Sequence, residues 1–502
     1  MRLSRELARS LVRPFPAIQT LQECWFPVAV ALYLLLIGGI RTLAARSLMI
    51  DESEQLALSQ VLSLGYGSQP PLVVWVVWVA TALFGPTAAT VIAVRFAILG
   101  LMYAGLYTCG RAVTATPGKT ALAAAAALFV PAVSWDFVFD KTNTPAACAF
   151  AALTVAALIR AVRSDNVRWA VAAGVFAGLG VLSKYTFIPF VAGLFAASLT
   201  IPQYRRWVLS SRGVIASAMT TVVVLPHVIW VLTSQAELAE SITHSITHRP
   251  GRTFGMLLTS AGDVVAMSCG FTLLVFAIIA PGVYSRKANL TSESRLLGRA
   301  LLLASVAAIV VVVLAGGNRL KAHWFTPLAV LLPTYLITRL DFVPVPRLRL
   351  ISLWCAVVGT VVGVTLAAGV LLGTDLLAQG RHLRERDQLA AEVSIAFAER
   401  PDSIVCDAFR DAGNLRFACP DSVVAVLSTP SSARPALRGS VVLVWDASKS
   451  DDIPDLTTMM LARDYGLRPD PFGPVSYLGE RPSSANRTGH RLGVVTLVRV
   501  VK

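Results

Sequence analysis

The chain has 502 residues, of which 55% are hydrophobic and only 15% are charged, and its mean hydropathy is +0.66. Soluble globular domains carry about 25% charged residues, so this composition excludes an ordinary soluble protein. The formal net charge is +15 at pH 7. Much of the basic excess lies in short loops and in the tail, which favours membrane topology and contact with anionic lipid over binding to nucleic acid.

Apolar segments close to the length that spans a hydrocarbon core recur along the first three quarters of the chain. We predict about eleven transmembrane helices, whose ends a sequence places only to within several residues. They lie at 26–41, 88–109, 120–139, 146–162, 169–183, 185–201, 214–232, 263–283, 300–316, 324–340 and 350–372. The segment 72–84 is short for a span, and Trp75 and Trp78 are typical of a helix at the membrane surface.

Basic residues are concentrated in every second loop between these predicted spans, which puts them on one side of the membrane. Arginines stand at positions 2, 5, 9 and 13, and the loops 111–119, 160–168, 205–212, 286–287 and 347–349 are also basic. Cytoplasmic loops carry the excess of Lys and Arg, so the pattern predicts a cytoplasmic N-terminus. The opposite loops, 51–52, 140–141, 234–262 and 319–323, then face outward.

The composition changes near residue 372, after which charged residues are frequent and Pro, Ser, Asn and Asp separate short β-type runs. We predict a transmembrane domain at 1–372 and a soluble C-terminal α/β domain at 373–502. Strands are predicted at 403–408, 423–427, 441–445 and 494–501, with a helix near 384–398. An odd number of spans places this domain outside the cytoplasm.

Cys406 and Cys419 lie in this second domain, on either side of a predicted turn at 410–414. In an oxidising compartment the two residues are able to form a disulfide. Two unrelated buried thiols are the equally favoured alternative.

Asp51 and Glu52 follow the first predicted span directly. Ionisable residues in the membrane region of a protein are costly and indicate a functional site by default. The alternative for Asp51 is a helix N-cap, because aspartate is a good cap and an amphipathic helix is predicted to begin near Ser53. The chain has no CxxC, HExxH, Walker or dinucleotide-binding glycine pattern, which counts against ATP-driven transport and hydride chemistry.

Six segments of the chain are distinctive in sequence and in their order. The chain reads SQPPLVVWVVWVATALFG, VIAVRFAILGLMYAGLYTCGR, FDKTNTPAACAFAALTVAALIRAV, WAVAAGVFAGLGVLSKYTFIPF, LPHVIWVLTSQ and KAHWFTPLAVLLP. In order and spacing, over residues 26–340, the chain resembles membrane glycosyltransferases of the GT-C fold that use polyprenyl-phosphate sugars. Lipid A aminoarabinose transferases and protein O-mannosyltransferases share this pattern.

This resemblance implies a multi-pass protein of the bacterial inner membrane whose active site faces the periplasm. The implied donor is a polyprenyl-phosphate-linked sugar, and the implied acceptor is an envelope glycolipid, a glycan or a protein. The resemblance assigns the catalytic carboxylate to Asp51, with Glu52 beside it. A carboxylate within hydrogen-bond reach of the acceptor hydroxyl takes its proton as a general base.

The family often has a second outer aspartate two residues before a proline, but here Asn143 occupies that position. Asp140 lies one helical turn earlier, and residues three apart share a helix face. Either Asp140 takes the role, with Asp136 a further turn back, or the role is weakened in this chain.

Lys184 and Tyr185 match the family's sKyt element, which implies a contact between Lys184 and the donor phosphate. The alternative is a lysine that ends a helix and reaches to the membrane interface. Arg319, Lys321 and His323 form a second basic cluster before an "HW" element. Such cations are able to stabilise the charge that builds on a departing lipid phosphate.

His244 and His248 have the spacing of two metal ligands on one helix. Without a third ligand a structural role is favoured, and a requirement for a divalent metal ion stays open. His227 and Trp230 lie near the same predicted outer loop and are candidates to shape the acceptor side.

The sequence therefore predicts a single inverting displacement at the anomeric carbon, in which the acceptor oxygen attacks opposite the lipid phosphate. The alternative function is that of a secondary transporter or lipid flippase. Such a protein would show inverted repeats and charges near the membrane midplane, and neither is clear in this sequence. The identity of the sugar and of the acceptor is not encoded in any recognisable motif.

Overall fold

The structure is a computed structural model. It describes residues 16–45, 47–67, 69–114, 117–234, 262–266, 270, 272–273, 291–314, 320–339, 345–371, 389, 392, 400–447, 452–470, 475–478 and 492–499. Arg319, His244 and His248 lie outside these residues, as do most of the predicted span 263–283 and of the predicted helix 384–398.

The described part of the chain before residue 372 is almost wholly helical. Its longer helices are Pro16–Leu43, Ala88–Val113, Asn143–Ser164, Val167–Ser183, Ser211–Thr233, Ser292–Leu314 and Val345–Leu371. Its shorter helices are Ile50–Leu58, Leu72–Phe84, Pro117–Ala125, Phe137–Phe139, Ile188–Leu199, Pro202–Val208, Thr326–Ala329 and Leu332–Thr338. Among the described residues, five helices are long and apolar enough to cross a membrane, or seven if each of two bent pairs is one span. The predicted count of about eleven is not confirmed.

Prolines account for the places where predicted spans are broken. The predicted span 120–139 bends by 82° between Gly118–Phe129 and Ala132–Phe139, and Pro131 lies at the bend. The pair Tyr185–Leu199 and Pro202–Val208 bends by 117°. Proline has no backbone N–H and its ring clashes with the preceding turn, so a helix does not continue through it undisturbed.

The helix Asn143–Ser164 is the most enclosed of the five candidate spans among the described residues, with 83% of its most apolar 18-residue stretch buried. It packs between Ala88–Val113 and Val167–Ser183, and small side chains permit the close approach. A Cβ atom on Gly105 would lie 2.9 Å from the carbonyl oxygen of Ala149. Small residues at helix contacts are the common means by which membrane helices pack closely.

The C-terminal region contains a small mixed sheet with helices. Its strands are β1 Ser403–Cys406, β2 Val423–Val426, β3 Val441–Asp446, β4 Leu467–Pro469, β5 Ser476–Leu478 and β6 Leu492–Arg499. The spatial order is β2-β1-β3-β6-β4, and β5 also pairs with β6. Strand β1 is parallel to β2 and β3, whereas β6 is antiparallel to its neighbours. The helices Phe409–Ala418 and Asp455–Tyr465 accompany these strands.

One sequence prediction about this region is wrong, because the helix Phe409–Ala418 occupies the place of the predicted turn at 410–414. For Cys406 and Cys419 the sequence left two alternatives open, and the structure shows the second, two buried free thiols. Cys406 belongs to β1 and Cys419 follows the helix, so each fills apolar space in the same core cluster.

We refer to Ile50–Leu58 as the acidic helix. The C-terminal helix Phe409–Ala418 packs directly on it. The Ser53 hydroxyl contacts the carbonyl oxygens of Phe409 and Arg410 at 2.8 and 2.7 Å. A Cβ atom on Gly413 would lie 2.2 Å from the carbonyl oxygen of Ser53. Only glycine permits the two backbones to approach this closely.

Two side-chain amides extend this contact on either side of the acidic helix. Asn414 accepts the backbone N–H of Leu48 at 2.8 Å and donates to its carbonyl oxygen at 3.2 Å. Gln60 likewise accepts the N–H of Val424 at 3.0 Å and donates to its carbonyl at 2.6 Å. Val424 lies on the edge strand β2, whose outer backbone groups would otherwise lack partners. The C-terminal sheet therefore ends against residues that flank the acidic helix.

We expect Gly413→Ala to destabilise the protein by about 1–3 kcal/mol, the usual cost of overpacking. The new methyl group would overlap the Ser53 backbone and separate the two helices. Thermal unfolding followed by tryptophan fluorescence measures the effect. Gly39→Ala is the matched control, because a Cβ atom there has no neighbour within 4 Å. Equal melting temperatures for the two variants would contradict this account.

Candidate active site

Glu52 lies in the first turn of the acidic helix, and its carboxylate is completely buried. One carboxylate oxygen is 2.7 Å from Nη2 of Arg95, and the other is 3.0 Å from Nη2 of Arg41. The second oxygen also accepts the backbone N–H of Met49 at 2.8 Å. Arg41 belongs to the first helix and Arg95 to Ala88–Val113, so Glu52 joins the acidic helix to two candidate spans.

This geometry bears on two interpretations drawn from the sequence. Met49 is the N-cap residue of the acidic helix, so Asp51 is not the cap that the alternative interpretation required. Glu52 was predicted beside Asp51 as a catalytic group, yet its oxygens are enclosed by the two arginines. We therefore assign Glu52 the role of holding the helix in place rather than contacting substrate.

Asp51 is the partly exposed neighbour of Glu52, and it lies in a group of three charged residues. Its Oδ1 atom is 2.7 Å from Nζ of Lys141, which is also 2.9 Å from Oδ2 of Asp140. Asp140 Oδ1 accepts the backbone N–H of Asp51 at 2.9 Å. The turn after the bent segment Ala132–Phe139 thus places Asp140 and Lys141 beside the start of the acidic helix.

Burial raises the pKa of Asp51 above its ordinary value, although the Lys141 ammonium opposes this shift. The second carboxylate, Asp140, adds to the increase. The same two carboxylates outweigh burial at Lys141 and raise the pKa of that ammonium. The cluster thus keeps a fixed positive charge between two acids, one of which has increased proton affinity.

Lys184 lies between the helices Val167–Ser183 and Tyr185–Phe187 and is 6% exposed. Its ammonium donates to Oγ1 of Thr144 at 2.5 Å. Burial lowers the pKa of Lys184 to about 8, while the Asp51 carboxylate acts in the opposite direction. A lysine that snorkels to the interface would be solvated, so the buried position argues against that alternative.

Lys321 and His323 approach the same region from the segment before Thr326–Ala329. Burial, together with Lys184, Lys141 and Lys321, lowers the pKa of His323 to about 3. We therefore expect a neutral imidazole at neutral pH rather than the cation that the predicted basic cluster implied. Nζ of Lys321 lies 5.8 Å from the centroid of the Trp324 ring. Arg319, the third member of the cluster, is outside the described residues.

Tyr185, which follows Lys184 in the predicted motif, lies beside His227. Its hydroxyl is 3.0 Å from Nε2 of His227, and Nδ1 of His227 is 2.7 Å from the carbonyl oxygen of Leu64. The imidazole stacks on Trp230, whose indole N–H donates to Ser432 of the C-terminal region. Tyr185 is therefore part of a polar link between the segment after Lys184, the loop after the acidic helix and the C-terminal region.

Asn143 and Asp136 do not join the charged cluster in the way that was considered. Asn143 is buried at the start of its helix, and its Oδ1 atom has no hydrogen-bond partner within the part of the chain that the structure describes. Asp136 is exposed. Asp140, the acid one turn before Asn143, makes the contacts with Asp51 and Lys141 described above.

Sequence reasoning missed three residues of this region. Lys141 was noted only as part of an outer loop. Thr144 lies in an apolar helix with no motif of its own, and Glu54 follows an acidic pair to which the chemistry was assigned. The available signal for Glu54 was its position three residues after Asp51, because such residues share a helix face. Burial raises the pKa of Glu54 to about 7, with Asp51 adding to the increase.

The described residues contain no group of three or more His, Cys, Asp or Glu side chains placed to hold a metal ion. His244 and His248 are not among the residues described. The need for a divalent metal ion thus stays an open question from the sequence.

Comparisons with known proteins agree with this architecture. Residues 68–230 match the family model described as dolichyl-phosphate-mannose-protein mannosyltransferase. The lipopolysaccharide core galacturonosyltransferase RgtB of Rhizobium johnstonii is 26% identical over 432 residues, which cover 84% of this chain and 87% of that protein. The lipopolysaccharide core galacturonosyltransferase RgtA of the same organism is 24% identical over 432 residues, covering 84% of this chain and 86% of that protein.

The fold is similar to that of ArnT from Cupriavidus metallidurans. The apo structure matches with a TM-score of 0.58 at 14% identity and covers 94% of this chain and 97% of ArnT. The structure bound to undecaprenyl phosphate matches equally well, with coverages of 93% and 97%. These similarities confirm the predicted resemblance to GT-C glycosyltransferases. With the apolar helices, they indicate a multi-pass protein of the bacterial inner membrane.

We expect Glu52→Gln to destabilise the fold by about 3–5 kcal/mol, because it leaves two buried guanidinium groups without a counter-charge. Thermal unfolding of the purified protein measures this loss. Glu293→Gln is the control, since Glu293 pairs with Arg163, whose side chain is 50% exposed. The loss there should stay below about 1 kcal/mol. Similar losses in both variants would rule out the special role of Glu52.

Proposed function

We propose that this chain, a membrane glycosyltransferase of the GT-C fold, moves a monosaccharide from a polyprenyl-phosphate donor to a glycolipid of the bacterial envelope. The observation that carries the proposal is the convergence of Asp51 and Lys184 from separate elements. Each is among the charged groups that shift the pKa of the other. A glycosyl transfer of this type needs a base for the acceptor and a cation for the phosphate.

Lys184 is the residue we assign to the donor phosphate. Its ammonium donates to Thr144 in a buried position. Burial disfavours the positive charge, and a bound phosphate would stabilise it. Electrostatic interactions are stronger in such water-poor sites than in bulk solvent. The C–O bond to the anomeric carbon leaves its electron pair on this phosphate, so a fixed cation stabilises the transition state. Lys321 and the neutral His323 interact electrostatically with Lys184, so we place them beside the same phosphate.

Asp51 is the residue we assign to the acceptor. Its carboxylate has a raised proton affinity and is partly accessible, as a general base requires. The acceptor oxygen attacks the anomeric carbon on the face opposite the phosphate and loses its proton to the carboxylate. This displacement inverts the configuration at that carbon. Lys141 and Asp140 fix the direction of the Asp51 side chain and of its backbone.

For the transferred sugar we propose a hexuronic acid. The relatives RgtA and RgtB are named as galacturonosyltransferases that act on the lipopolysaccharide core. A uronate adds a carboxylate to the donor phosphate, so the site must supply a second cation. Lys321 is suited to this task, because it influences both Lys184 and His323. We place the acceptor in the lipopolysaccharide and the site on the periplasmic face of the membrane.

We expect purified protein to transfer galacturonic acid from its polyprenyl-phosphate donor to lipopolysaccharide core acceptors, and Asp51→Asn to reduce kcat at least about 10²-fold. Product formation from a radiolabelled donor measures both. Donors with neutral mannose and cationic aminoarabinose test the choice of a uronic acid. Equal transfer by wild type and a folded Asp51→Asn variant would remove Asp51 from the mechanism. Transport of labelled lipid without transfer from any donor would favour a flippase instead.

The pH dependence of donor use should report Lys184. Its ammonium loses its proton as the pH rises through about 8, so kcat/KM for the donor should fall above that pH. Lys184→Arg should remove this fall, because a guanidinium group stays charged. Lys184→Met should raise the donor KM at every pH. A descending limb unchanged in the arginine variant would assign it to another group.

A further inference from the structure

The acidic helix has one face that is not buried, and that face carries two carboxyl groups. Six of its nine residues are buried, which leaves Ile50, Asp51 and Glu54 partly accessible. The buried residues contact the two arginines on one side and the C-terminal domain on the other. Asp51 and Glu54 are three residues apart and therefore share a face. Asp51 and Glu54 are thus the two carboxyl groups on the partly exposed face of this helix.

The two carboxyl groups have different partners. Asp51 is in direct contact with the Lys141 ammonium, which stabilises its ionised form. Glu54 makes no ion pair or side-chain hydrogen bond with any residue that the structure describes. The charged groups that influence Glu54 are Asp51, Lys141 and Asp140. Glu54 is thus an unpaired acid in a cluster where every other charge has a partner.

We propose that Glu54 and Asp51 act as a proton-sharing pair, in which Glu54 holds the proton that the acceptor hydroxyl loses. This inference rests on the proposed glycosyl transfer and deepens it. As the bond from the acceptor oxygen to the anomeric carbon forms, the bond from that carbon to the phosphate oxygen breaks. The electron pair leaves with the lipid phosphate, and the proton moves to Asp51 and then to Glu54.

The direction of this transfer follows from the charges. The Lys141 ammonium is in contact with Asp51 and favours its ionised form, whereas Glu54 has no cation in contact among the described residues. Burial, with Asp51 and Asp140, raises the pKa of Glu54 to about 7, while Lys141 opposes the shift. A group with such a pKa both accepts a proton and releases it to water at neutral pH. Two interacting carboxyls then titrate as a pair rather than singly.

The test compares kcat and KM between pH 5 and pH 9 for full-length wild type, Glu54→Gln and Glu54→Asp. We expect Glu54→Gln to lower kcat on the high-pH plateau about 10²-fold with an unchanged acceptor KM. The ascending limb near pH 7 should also disappear, and Glu54→Asp should restore part of the rate. Glu293→Gln serves as the control for loss of a carboxylate elsewhere.

A normal plateau kcat in Glu54→Gln, with the ascending limb merely moved to lower pH, would overturn the proposal. That result would make Glu54 only a charge that perturbs Asp51. A wild type that transfers no sugar would instead refute the proposed function.

In that event the stability of the protein still tests the environment of Glu54. A raised pKa means that folding favours the protonated acid, so this contribution to stability is lost as the pH rises from about 4.5 to about 7. Glu54→Gln should therefore melt at a higher temperature than wild type above pH 7, with a difference that vanishes near pH 4. Parallel melting curves for both proteins would overturn the proposed pair.

Discussion

The buried carboxylate of Glu52 between Arg41 and Arg95 is the interaction on which the site depends. Removing three charged groups from water is costly, and their mutual attraction offsets that cost only while the geometry is kept. The charges therefore fix the acidic helix against two candidate spans with little freedom to shift. Asp51 is the preceding residue in the chain, so its position is fixed by a buried neighbour.

The C-terminal region contacts the opposite side of the same helix. Because Gly413 has no side chain, the Ser53 backbone fits against it, and the amide of Asn414 bonds to the backbone of Leu48 just before the helix. Gln60 then pairs with the edge strand of the sheet. Both ends of the acidic helix are thus bound to a region that is distant in sequence. The accessible face that remains is narrow, and it is the face that carries Asp51 and Glu54.

The titratable groups of the site differ in their contacts and therefore in their charge. Lys141 is held between Asp51 and Asp140 and keeps a fixed positive charge. Lys184 is buried against a neutral hydroxyl and is therefore the cation with most to gain from an incoming phosphate. His323 stays neutral because the surrounding lysines and its burial disfavour a further positive charge. These differences come from environment rather than from residue type.

The sequence alone was sufficient for the properties that depend on composition and short-range order. Apolar length indicated a multi-pass membrane protein, and the order of motifs indicated the GT-C resemblance, both of which the comparisons confirm. Four strands of the C-terminal region were also predicted near their observed places, because short runs rich in Val and Ile between turn-forming residues are typical of strands. Asp51 and Lys184 were singled out by local motifs, and the structure brings them into one region.

Only the tertiary structure decided the properties that depend on contacts across the chain. Glu52 and Asp51 are adjacent acids in sequence, yet Glu52 is buried between two arginines and Asp51 is partly exposed beside Lys141. The bend beside Pro131 brings Lys141 to Asp51, and a pairing across 90 residues leaves no periodic signal. Gly413 and Asn414 were predicted to form a turn, because glycine and asparagine are common in turns. In the structure they belong to a helix, and glycine is needed there because two backbones approach closely. A sequence specifies which side chains are available, whereas burial and distant neighbours determine which of them are free to react.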